Sequence, residues 1–296
     1  MPLVLVYCAN GFQGRAIATA LLDAGYRVRA LVRDEAKAAS LERRGAELAA
    51  ASLDDHAALQ RAHEDVDVAV LQLPAGNPAE LTRYQSAMAL TAIRVTGVSK
   101  VVLNTAVQFP RLTPDLPAFA AKQDLERSVL SSGLRVTVIR PSFLLSNLLL
   151  PWATHSIAKE GVLRYPIANQ QTLSWAAPED IGRLAAATIG NELYGHTILA
   201  GARRAVRGEA LAAAFSRALR REIRYEALPL DAFEAGVDAA LGPGVGKQVG
   251  AMFRFIRSNP EDLDFVTSAF SAPAEFPSFE PMALEDWVTA HRDAFE

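Results

Sequence analysis

The sequence predicts an α/β protein built on a doubly wound parallel sheet, with a smaller, mostly helical lobe toward the C-terminus. Three observations support this class. Short β-rich runs alternate with helix-like segments over the first 140 residues. Runs such as LVLVY and VAVLQL are continuously apolar, as in strands that are covered on both faces. Repetition of strand, helix and strand favours parallel pairing through right-handed crossovers.

The elements of this sheet can be assigned in order. The β-rich runs are residues 3–8, 27–32, 47–50, 66–71, 100–104 and 135–140. The helices predicted between them are residues 13–24, 35–44, 55–63, 80–95 and 119–132. Gly25, Gly45, Gly97 and Gly133 stand where four of these helices should end, as expected of a residue that adopts positive φ.

The pattern changes after Arg140, where prolines separate longer connections. Residues 174–176 and 196–199 predict two further short strands, with a helix at 178–190 between them. From Arg203 onward the sequence is mostly helical. We therefore expect residues 1–150, with 173–202 returning to them, to form the sheet domain. Residues 151–172 and 203–296 would form the smaller lobe, with a ligand cleft between the two.

Composition and charge exclude several classes of protein. Half of the 296 residues are hydrophobic and 21% are charged, which is enough apolar surface for a folded core. The net charge of −3 leaves no basic excess, so we expect no direct nucleic-acid partner. No segment approaches the roughly 18 apolar residues of a membrane span, and no signal peptide is recognisable. We expect a cytoplasmic protein, monomeric or homodimeric, that acts on a small molecule.

A glycine-rich turn joins the first strand to the first helix. It reads Cys8-Ala9-Asn10-Gly11-Phe12-Gln13-Gly14. Gly11 lets the backbone approach a pyrophosphate, Gly14 permits close packing of helix on strand, and the helix N-terminus attracts phosphate. The turn therefore predicts a dinucleotide site on a Rossmann-type core. The alternative is a tight turn without a ligand, because Cys8 stands where such turns usually carry their first glycine.

The end of the second strand indicates which dinucleotide is bound. An acidic residue there would bond a ribose 2′-hydroxyl and favour NAD. The expected acidic position is Val32, and Arg33 follows it. A guanidinium can grip a 2′-phosphate and stack on adenine, so Arg33 favours NADP(H) over NAD(H). The alternative is an ordinary solvated arginine.

The catalytic candidates are Lys122 and Thr105. Lys122 lies on the helix after the fifth strand, where short-chain dehydrogenases carry the lysine of a Tyr-x-x-x-Lys pair. Ala118 stands four residues earlier, so the usual phenol is missing. Thr105, just beyond the fifth strand, can replace the usual serine as a hydroxyl donor. The alternative for Lys122 is a surface lysine of the helix.

Other chemistries find little support in the sequence. The five histidines show no spacing typical of a metal site, and we expect no metal. Neither a nucleophile elbow nor a Walker loop is present. The single cysteine, Cys8, rules out an intrachain disulfide. We interpret it as a small buried residue that stands in for glycine, the alternative being a redox-sensing thiol.

Several motifs together resemble the NmrA-like family of atypical short-chain dehydrogenases. They are the glycine-rich turn, the segment RALVRD at 29–34, FAAK at 119–122, IRPSF at 139–143 with NLL at 147–149, and WAAPEDIG at 175–182. Each motif is loose by itself, but the resemblance covers essentially the whole chain.

The resemblance implies a Rossmann core, a small C-terminal lobe and NADP(H) binding. By position, Gly11, Phe12, Gln13 and Gly14, with Ala9 and Asn10 before them, would meet the phosphates, and Arg33 the 2′-phosphate. The other residues implied in cofactor binding are Leu73 and Pro74 at the ribose, Lys122 at the nicotinamide ribose, and Pro141, Ser142 and Phe143 beside the nicotinamide. Two residues depart from the pattern, because Cys8 and Ser142 each replace a glycine.

The family includes quinone, triphenylmethane and isoflavone-type reductases, together with regulators that bind the cofactor without turnover. We therefore expect an NADPH-dependent reductase of a small conjugated or aromatic acceptor, with quinone as the foremost class. The predicted substrate pocket comprises Gln108, Asn147, His155, Phe253 and Phe255, although for the two phenylalanines a place in the lobe core is the alternative. A non-catalytic NADP(H)-sensing regulator and a specialised biosynthetic reductase are the alternatives.

Overall fold

A computed structural model describes residues 1–74, 76–110, 116–259, 263–272 and 279–296. The strands are β1 Leu3–Val6, β2 Arg27–Val32, β3 Glu47–Ala50, β4 Val68–Leu71, β5 Lys100–Asn104, β6 Arg135–Pro141, β7 Phe143–Leu144, β8 Val162–Tyr165, β9 Thr172–Leu173, β10 Trp175–Ala176, β11 Thr197–Ala200, β12 Val206–Arg207 and β13 Arg224–Ala227. The α-helices are α1 Phe12–Asp23, α2 Ala39–Glu42, α3 His56–Ala62, α4 Ala79–Val95, α5 Pro117–Leu130, α6 Pro151–Glu160, α7 Pro178–Gly190, α8 Gly208–Leu219, α9 Leu230–Leu241, α10 Val245–Ser258, α11 Asp264–Thr267 and α12 Leu284–Ala290.

Seven of these strands form one parallel sheet. Their order is β3-β2-β1-β4-β5-β6-β11, and each neighbouring pair is parallel. The chain runs outward from β1 to β3, returns to β4 beside β1, and then runs outward the other way. This confirms the predicted fold class, and it places a topological switch point between β1 and β4.

The local predictions also hold in most places. Gly25, Gly45, Gly97 and Gly133 all have positive φ, between 78° and 96°. The helix predicted over 35–44 is wrong in detail, because a 3₁₀ turn at Glu35–Ala38 precedes the short α2. The Asp34 carboxylate accepts the Ala36 N–H at 3.1 Å and so caps this tighter turn.

Two apolar layers cover the faces of the sheet, and the helices α1 and α7 pack closely on one of them. Gly182 makes this approach possible, since a Cβ there would lie 2.5 Å from the Ala16 carbonyl oxygen. The buried Asp180 accepts the Met282 N–H at 2.9 Å and pairs with Arg183. The start of α7 is therefore fastened to the chain that leads into α12.

A third apolar cluster fills the lobe beyond the sheet. Tyr165 is 1% exposed, and its ring centroid lies 5.0 Å from that of Trp175 and 5.7 Å from that of Phe253. Phe143, at the end of the sheet, joins the same aromatic group. Among the helices in the described ranges, none is long and apolar enough to span a membrane.

Candidate functional site at the carboxyl edge of the sheet

The turn after β1 has the shape that a dinucleotide-binding turn needs. Cys8 adopts φ +50°, a left-handed conformation that ordinarily favours glycine. The Gly11 N–H donates to the Cys8 carbonyl at 3.0 Å, and Gly11 then caps α1 without a side-chain hydrogen bond. Cys8 thus replaces the first glycine of the turn and keeps its backbone conformation.

The two glycines of this turn have different surroundings. A Cβ on Gly14 would lie 2.2 Å from the Cys8 carbonyl oxygen and 2.7 Å from Nε2 of Gln72. A Cβ on Gly11 would meet only the Cys8 oxygen, at 3.4 Å, and the residue is exposed with φ −78°. Packing therefore requires glycine at position 14, whereas at position 11 the surrounding protein atoms would accommodate a Cβ.

A chain of side-chain amides connects this turn to the ends of β4 and β5. Asn104 Nδ2 donates to Oε1 of Gln13 and to Oε1 of Gln72, each at 2.9 Å. Gln72 Nε2 donates to the Tyr7 carbonyl at 2.8 Å. The Ala106 N–H donates to Oδ1 of Asn104 at 3.0 Å. Neither Asn104 nor Gln72 was singled out from the sequence, because only the strand register brings them together.

Lys122 lies on the buried side of α5 and not on the protein surface. It is 8% exposed, and its Nζ donates to the Thr105 carbonyl at 3.3 Å. No carboxylate pairs with it within the described residues. Burial lowers the pKa of Lys122 to about 8, and nearby Cys8 opposes this shift. The pKa of Lys122 is thus close to neutral pH, which suits a group that transfers a proton.

Thr105 lies beside Lys122, but the proton of the Thr105 hydroxyl is already hydrogen-bonded to a backbone carbonyl. The hydroxyl is 2.7 Å from the Val107 carbonyl oxygen and 3.3 Å from that of Ile139. The hydroxyl can still accept a hydrogen bond from a bound molecule. Lys122 is consequently the better placed of the two predicted proton donors.

The orientation of α5 depends on a second buried group, which the sequence prediction missed. Arg140 makes a two-pronged ion pair with Glu126, which is 4% exposed and lies one helical turn after Lys122. The same guanidinium lies over the Phe109 ring, 5.8 Å from its centroid. This contact fastens both α5 and the β5–α5 loop to the end of β6.

Arg33 is exposed at the end of β2, and in the described parts of the chain it has no ion-pair partner. Two other cations lie near this strand end. Lys37 is 3.7 Å from the Asp34 carboxylate, and the Arg15 guanidinium reaches the Lys37 carbonyl at 3.5 Å. Arg15 and Lys37 were not predicted as site residues. Together with Arg33 they place three cations on this side of the turn, of which Lys37 is paired with Asp34.

The Cys8 thiol is protonated near neutral pH. Burial raises its pKa to about 11, although Arg33 and Lys122 act in the opposite direction. Sγ lies 3.7 Å from the Gln72 carbonyl oxygen. Cys8 is only partly buried, in contrast to the buried residue predicted, but a protonated thiol that packs against one layer of the sheet fits a small packing residue better than a reactive thiolate.

The other predicted cofactor residues lie after β4 and β6. Leu73 is 6% exposed and packs into one sheet layer, while Pro74 is partly exposed. Pro141 is buried at the end of β6. Ser142 is buried with its hydroxyl beside Gly201, and Phe143 packs among the lobe aromatics. The cofactor roles of these residues stay predictions.

The predicted substrate-pocket residues fall into three environments. Gln108 is 4% exposed, and its Nε2 has no hydrogen-bond partner among the described residues. Asn147 donates to the Tyr165 hydroxyl at 3.3 Å, and His155 is exposed on α6. Phe253 and Phe255 pack in the lobe core, as the alternative interpretation states. Contact of these residues with a substrate stays a prediction.

Comparison with known proteins identifies the family to which the chain is similar. The model of the NmrA-like family matches residues 2–288. An NAD(P)H azoreductase of Xenophilus azovorans is 28% identical over 304 aligned residues, which cover 99% of each chain. A (4-alkanoyl-5-oxo-2,5-dihydrofuran-3-yl)methyl phosphate reductase of Streptomyces griseus is 27% identical over 297 aligned residues, again 99% of each.

Solved structures share the fold at lower identity. A nucleoside-diphosphate-sugar epimerase from Staphylococcus aureus has a TM-score of 0.76 at 20% identity, covering 98% of this chain and all of that one. An NADPH-dependent quinone oxidoreductase of Escherichia coli, complexed with NADPH, has 0.72 at 18%, covering 98% and 99%. NmrA, a negative transcriptional regulator in complex with NADP, has 0.69 at 18%, covering 96% and 89%. With its family model matched over nearly the whole chain, the protein belongs to the NmrA-like family.

Proposed function

We propose that this protein is an NADPH-dependent reductase that acts on a small conjugated or aromatic acceptor, with quinones as the foremost class. The observation that carries the proposal is Lys122. It is a buried lysine with a pKa near 8, held beside the β5 end without a carboxylate partner among the described residues. A lysine that served only to solubilise α5 would not be buried at this edge of the sheet.

The chain's own residues fit a dinucleotide. The open position at Gly11 admits a pyrophosphate, and the uncapped N-terminus of α1 offers backbone N–H groups to it. Arg33 is free to take a 2′-phosphate, with Arg15 and Lys37 close by. Lys122 and Gln13 lie on the other side of the switch point, where the second half of a dinucleotide would bind.

The preference for NADPH over NADH rests on the end of β2. Val32 is 2% exposed and apolar, so no acid is placed there to accept a ribose 2′-hydroxyl. Arg33 offers a guanidinium that can pair with the 2′-phosphate, a group that NADH lacks.

The bound cofactor would supply the hydride, and the protein residues would supply position and charge. Lys122 holds an ammonium where negative charge develops on the acceptor, and it can release its proton there. Thr105 fixes the loop backbone through the Val107 carbonyl and leaves its lone pairs free to accept. Arg140 and Glu126 keep α5, and therefore Lys122, at a constant distance from the β5 end.

The missing phenol predicts a preference for conjugated acceptors. Ala118 occupies the position of the usual tyrosine, so reduction of a simple ketone would lack its ordinary proton donor. That aid is commonly worth about 10² to 10⁴ in rate. A quinone, an azo compound or an enone delocalises the developing charge and needs less help. The azo and unsaturated-lactone names of the two sequence relatives agree with this class of acceptor.

Steady-state oxidation of NADPH with matched panels of quinones, azo dyes, enones and simple ketones tests the proposal. We expect turnover with conjugated acceptors and little with ketones. The kcat/KM should fall above pH 8, because Lys122 loses its proton there. In Lys122→Arg the cation no longer titrates, so this decline should disappear, whereas Lys122→Met should lower turnover more than NADPH affinity. Rapid reduction of unactivated ketones would contradict the reasoning.

A non-catalytic, NADP(H)-sensing regulator is the second candidate. Two observations favour it: Ala118 replaces the phenol, and the Thr105 proton is bound to backbone carbonyls. Micromolar binding of NADPH without turnover on any acceptor in the panel would select this candidate over the reductase.

A further inference from the structure

The amide chain at the carboxyl edge has a defined direction. The Ala106 N–H can only donate, so the Asn104 atom that faces it at 3.0 Å is Oδ1. The Tyr7 carbonyl can only accept, so the Gln72 atom that faces it at 2.8 Å is Nε2. Two backbone groups thus fix both ends of the chain independently, and the amide orientations do not depend on a choice between equivalent flips.

This direction determines what Gln13 presents. Asn104 Nδ2 must donate, and it gives one hydrogen to Gln72 Oε1 and the other to Gln13 Oε1, each at 2.9 Å. The Gln13 carbonyl oxygen is therefore held inward. Its amide NH₂ has no partner among the described residues, and Gln13 is partly exposed in the first turn of α1. Asn104, by contrast, is 2% exposed.

We infer that Asn104 is a positioning residue for cofactor binding. It turns Gln13 so that an amide donor, and not an acceptor, faces the phosphate oxygens of the bound dinucleotide. The inference rests on the proposed NADPH-dependent function. Asn104 ends β5, in the half of the sheet that holds the second nucleotide of a dinucleotide. The Gln13 donor accordingly serves the nicotinamide-side phosphate, and Arg33 serves the adenosine side.

The variant Asn104→Asp reverses the direction at one atom. Its carboxylate can keep the Ala106 bond, but it has no hydrogen for Gln13 or for Gln72. Gln72 is held by Tyr7, so Gln13 is the amide that must flip, and its carbonyl oxygen would then face the phosphates. We expect NADPH affinity to fall roughly tenfold or more, as for loss of a charge-assisted hydrogen bond. Affinity for 2′,5′-ADP, which lacks the nicotinamide-side phosphate, should change less than twofold.

A double-mutant cycle separates positioning from the charge that aspartate adds. In a Gln13→Met background, Asn104→Asp should cost less than twofold in NADPH affinity, because no amide remains to be turned. Asn191→Asp, an exposed amide at the end of α7 that donates to the Ala187 carbonyl, is the matched control and should bind as the unaltered protein does. If Asn104→Asp does not fold, Gln13→Glu replaces the proposed amide donor by an oxygen that can only accept, and it should bind NADPH more weakly than Gln13→Met.

The outcomes distinguish two failures. Calorimetry that shows equal losses from Asn104→Asp with and without Gln13 would overturn the positioning role, as would undiminished NADPH binding by Gln13→Glu. Equal losses for NADPH and 2′,5′-ADP would indicate general disruption and would also overturn it. Failure of the unaltered protein to bind NADPH would instead refute the proposed function and remove the basis of the inference.

Discussion

The contrast between Gly11 and Gly14 gives the sharpest test of the site. Both glycines lie in one turn, and both are replaced by alanine in the experiment. At Gly14 the new Cβ would be 2.2 Å from a backbone oxygen and 2.7 Å from the Gln72 amide, so the turn or α1 must move. At Gly11 the nearest atom is 3.4 Å away and φ is −78°, which any residue adopts.

The expected magnitudes follow from these distances. Overpacking of this kind costs about 1–3 kcal/mol, and displacing Gln72 from the Tyr7 carbonyl adds about 1 kcal/mol. Gly14→Ala should therefore lose roughly 2–4 kcal/mol of unfolding free energy. Gly11→Ala should stay within about 1 kcal/mol, and can gain slightly because alanine restricts the unfolded chain.

For NADPH affinity, in contrast to unfolding free energy, the important position is Gly11. Gly11→Ala places its Cβ where the pyrophosphate would lie, so a folded protein should lose at least about tenfold in NADPH affinity, and Gly11→Val more. Denaturant unfolding of the apo protein and calorimetric titration with NADPH measure the two effects separately. Unchanged NADPH binding by a folded Gly11→Val protein would show that the turn has only a structural role. An unperturbed Gly14→Ala protein would contradict the packing argument.

Three further predictions follow from single side chains. Arg33→Ala should remove most of an NADPH over NADH preference of about tenfold, measured by calorimetry, and equal affinities in the unaltered protein would contradict the role of Arg33. Cys8→Gly should change the free energy of unfolding by less than about 1 kcal/mol, because glycine relieves the strain at φ +50° but adds entropy to the unfolded chain. The variant should keep its NADPH binding, and a large loss of binding would mean that the thiol is needed. Burial lowers the pKa of His63, whose Nε2 is 3.1 Å from the Tyr7 hydroxyl. The neutral His63 side chain therefore stabilises the fold fully above about pH 6.5, and this stabilisation is lost as the pH falls below that value. Denaturant unfolding at pH 7.0 and 5.5 should show this loss, which His63→Gln should reduce.

Most of the sheet could be predicted because its signals are local. Short β-rich runs, some of them continuously apolar, and helix-ending glycines indicate β1 to β6 and the helices between them from the sequence alone. The segment at 35–44 was harder, since the capping of the Ala36 N–H by Asp34 selects a 3₁₀ turn over a longer α-helix. The strand predicted at 174–176 corresponds to β10, but its short partner β7 was not predicted, because this pair forms only when distant parts of the chain meet.

The candidate site also contains residues that local sequence identifies and residues that only the folded structure brings together. The Gly11 turn, Arg33 and Lys122 are recognisable because each lies at a fixed offset from a strand end. Asn104 and Gln72 are ordinary amides in the sequence, and they acquire a role only through the register of β4 beside β5. Phe253 shows what a sequence pattern leaves open. An aromatic residue in the predicted lobe fits both a pocket wall and a lobe core, and its ring packs among other aromatics at 1% exposure.

The family motifs explain why the sequence indicated the fold more clearly than the acceptor. In the Asp-Ile-Gly segment, Asp180 fastens the chain before α12, and Gly182 lets α7 approach α1. In the Arg-Pro segment, Arg140 holds Glu126 on α5 and covers the Phe109 ring. These residues maintain the frame that carries Lys122, and none of them needs to touch an acceptor. A frame of this kind is compatible with many acceptors, because a fold alone does not determine what is bound or reduced. The motifs therefore account for the position of Lys122, the proton donor that we propose, and they leave the identity of the acceptor to be decided by the panel of quinones, azo dyes, enones and ketones.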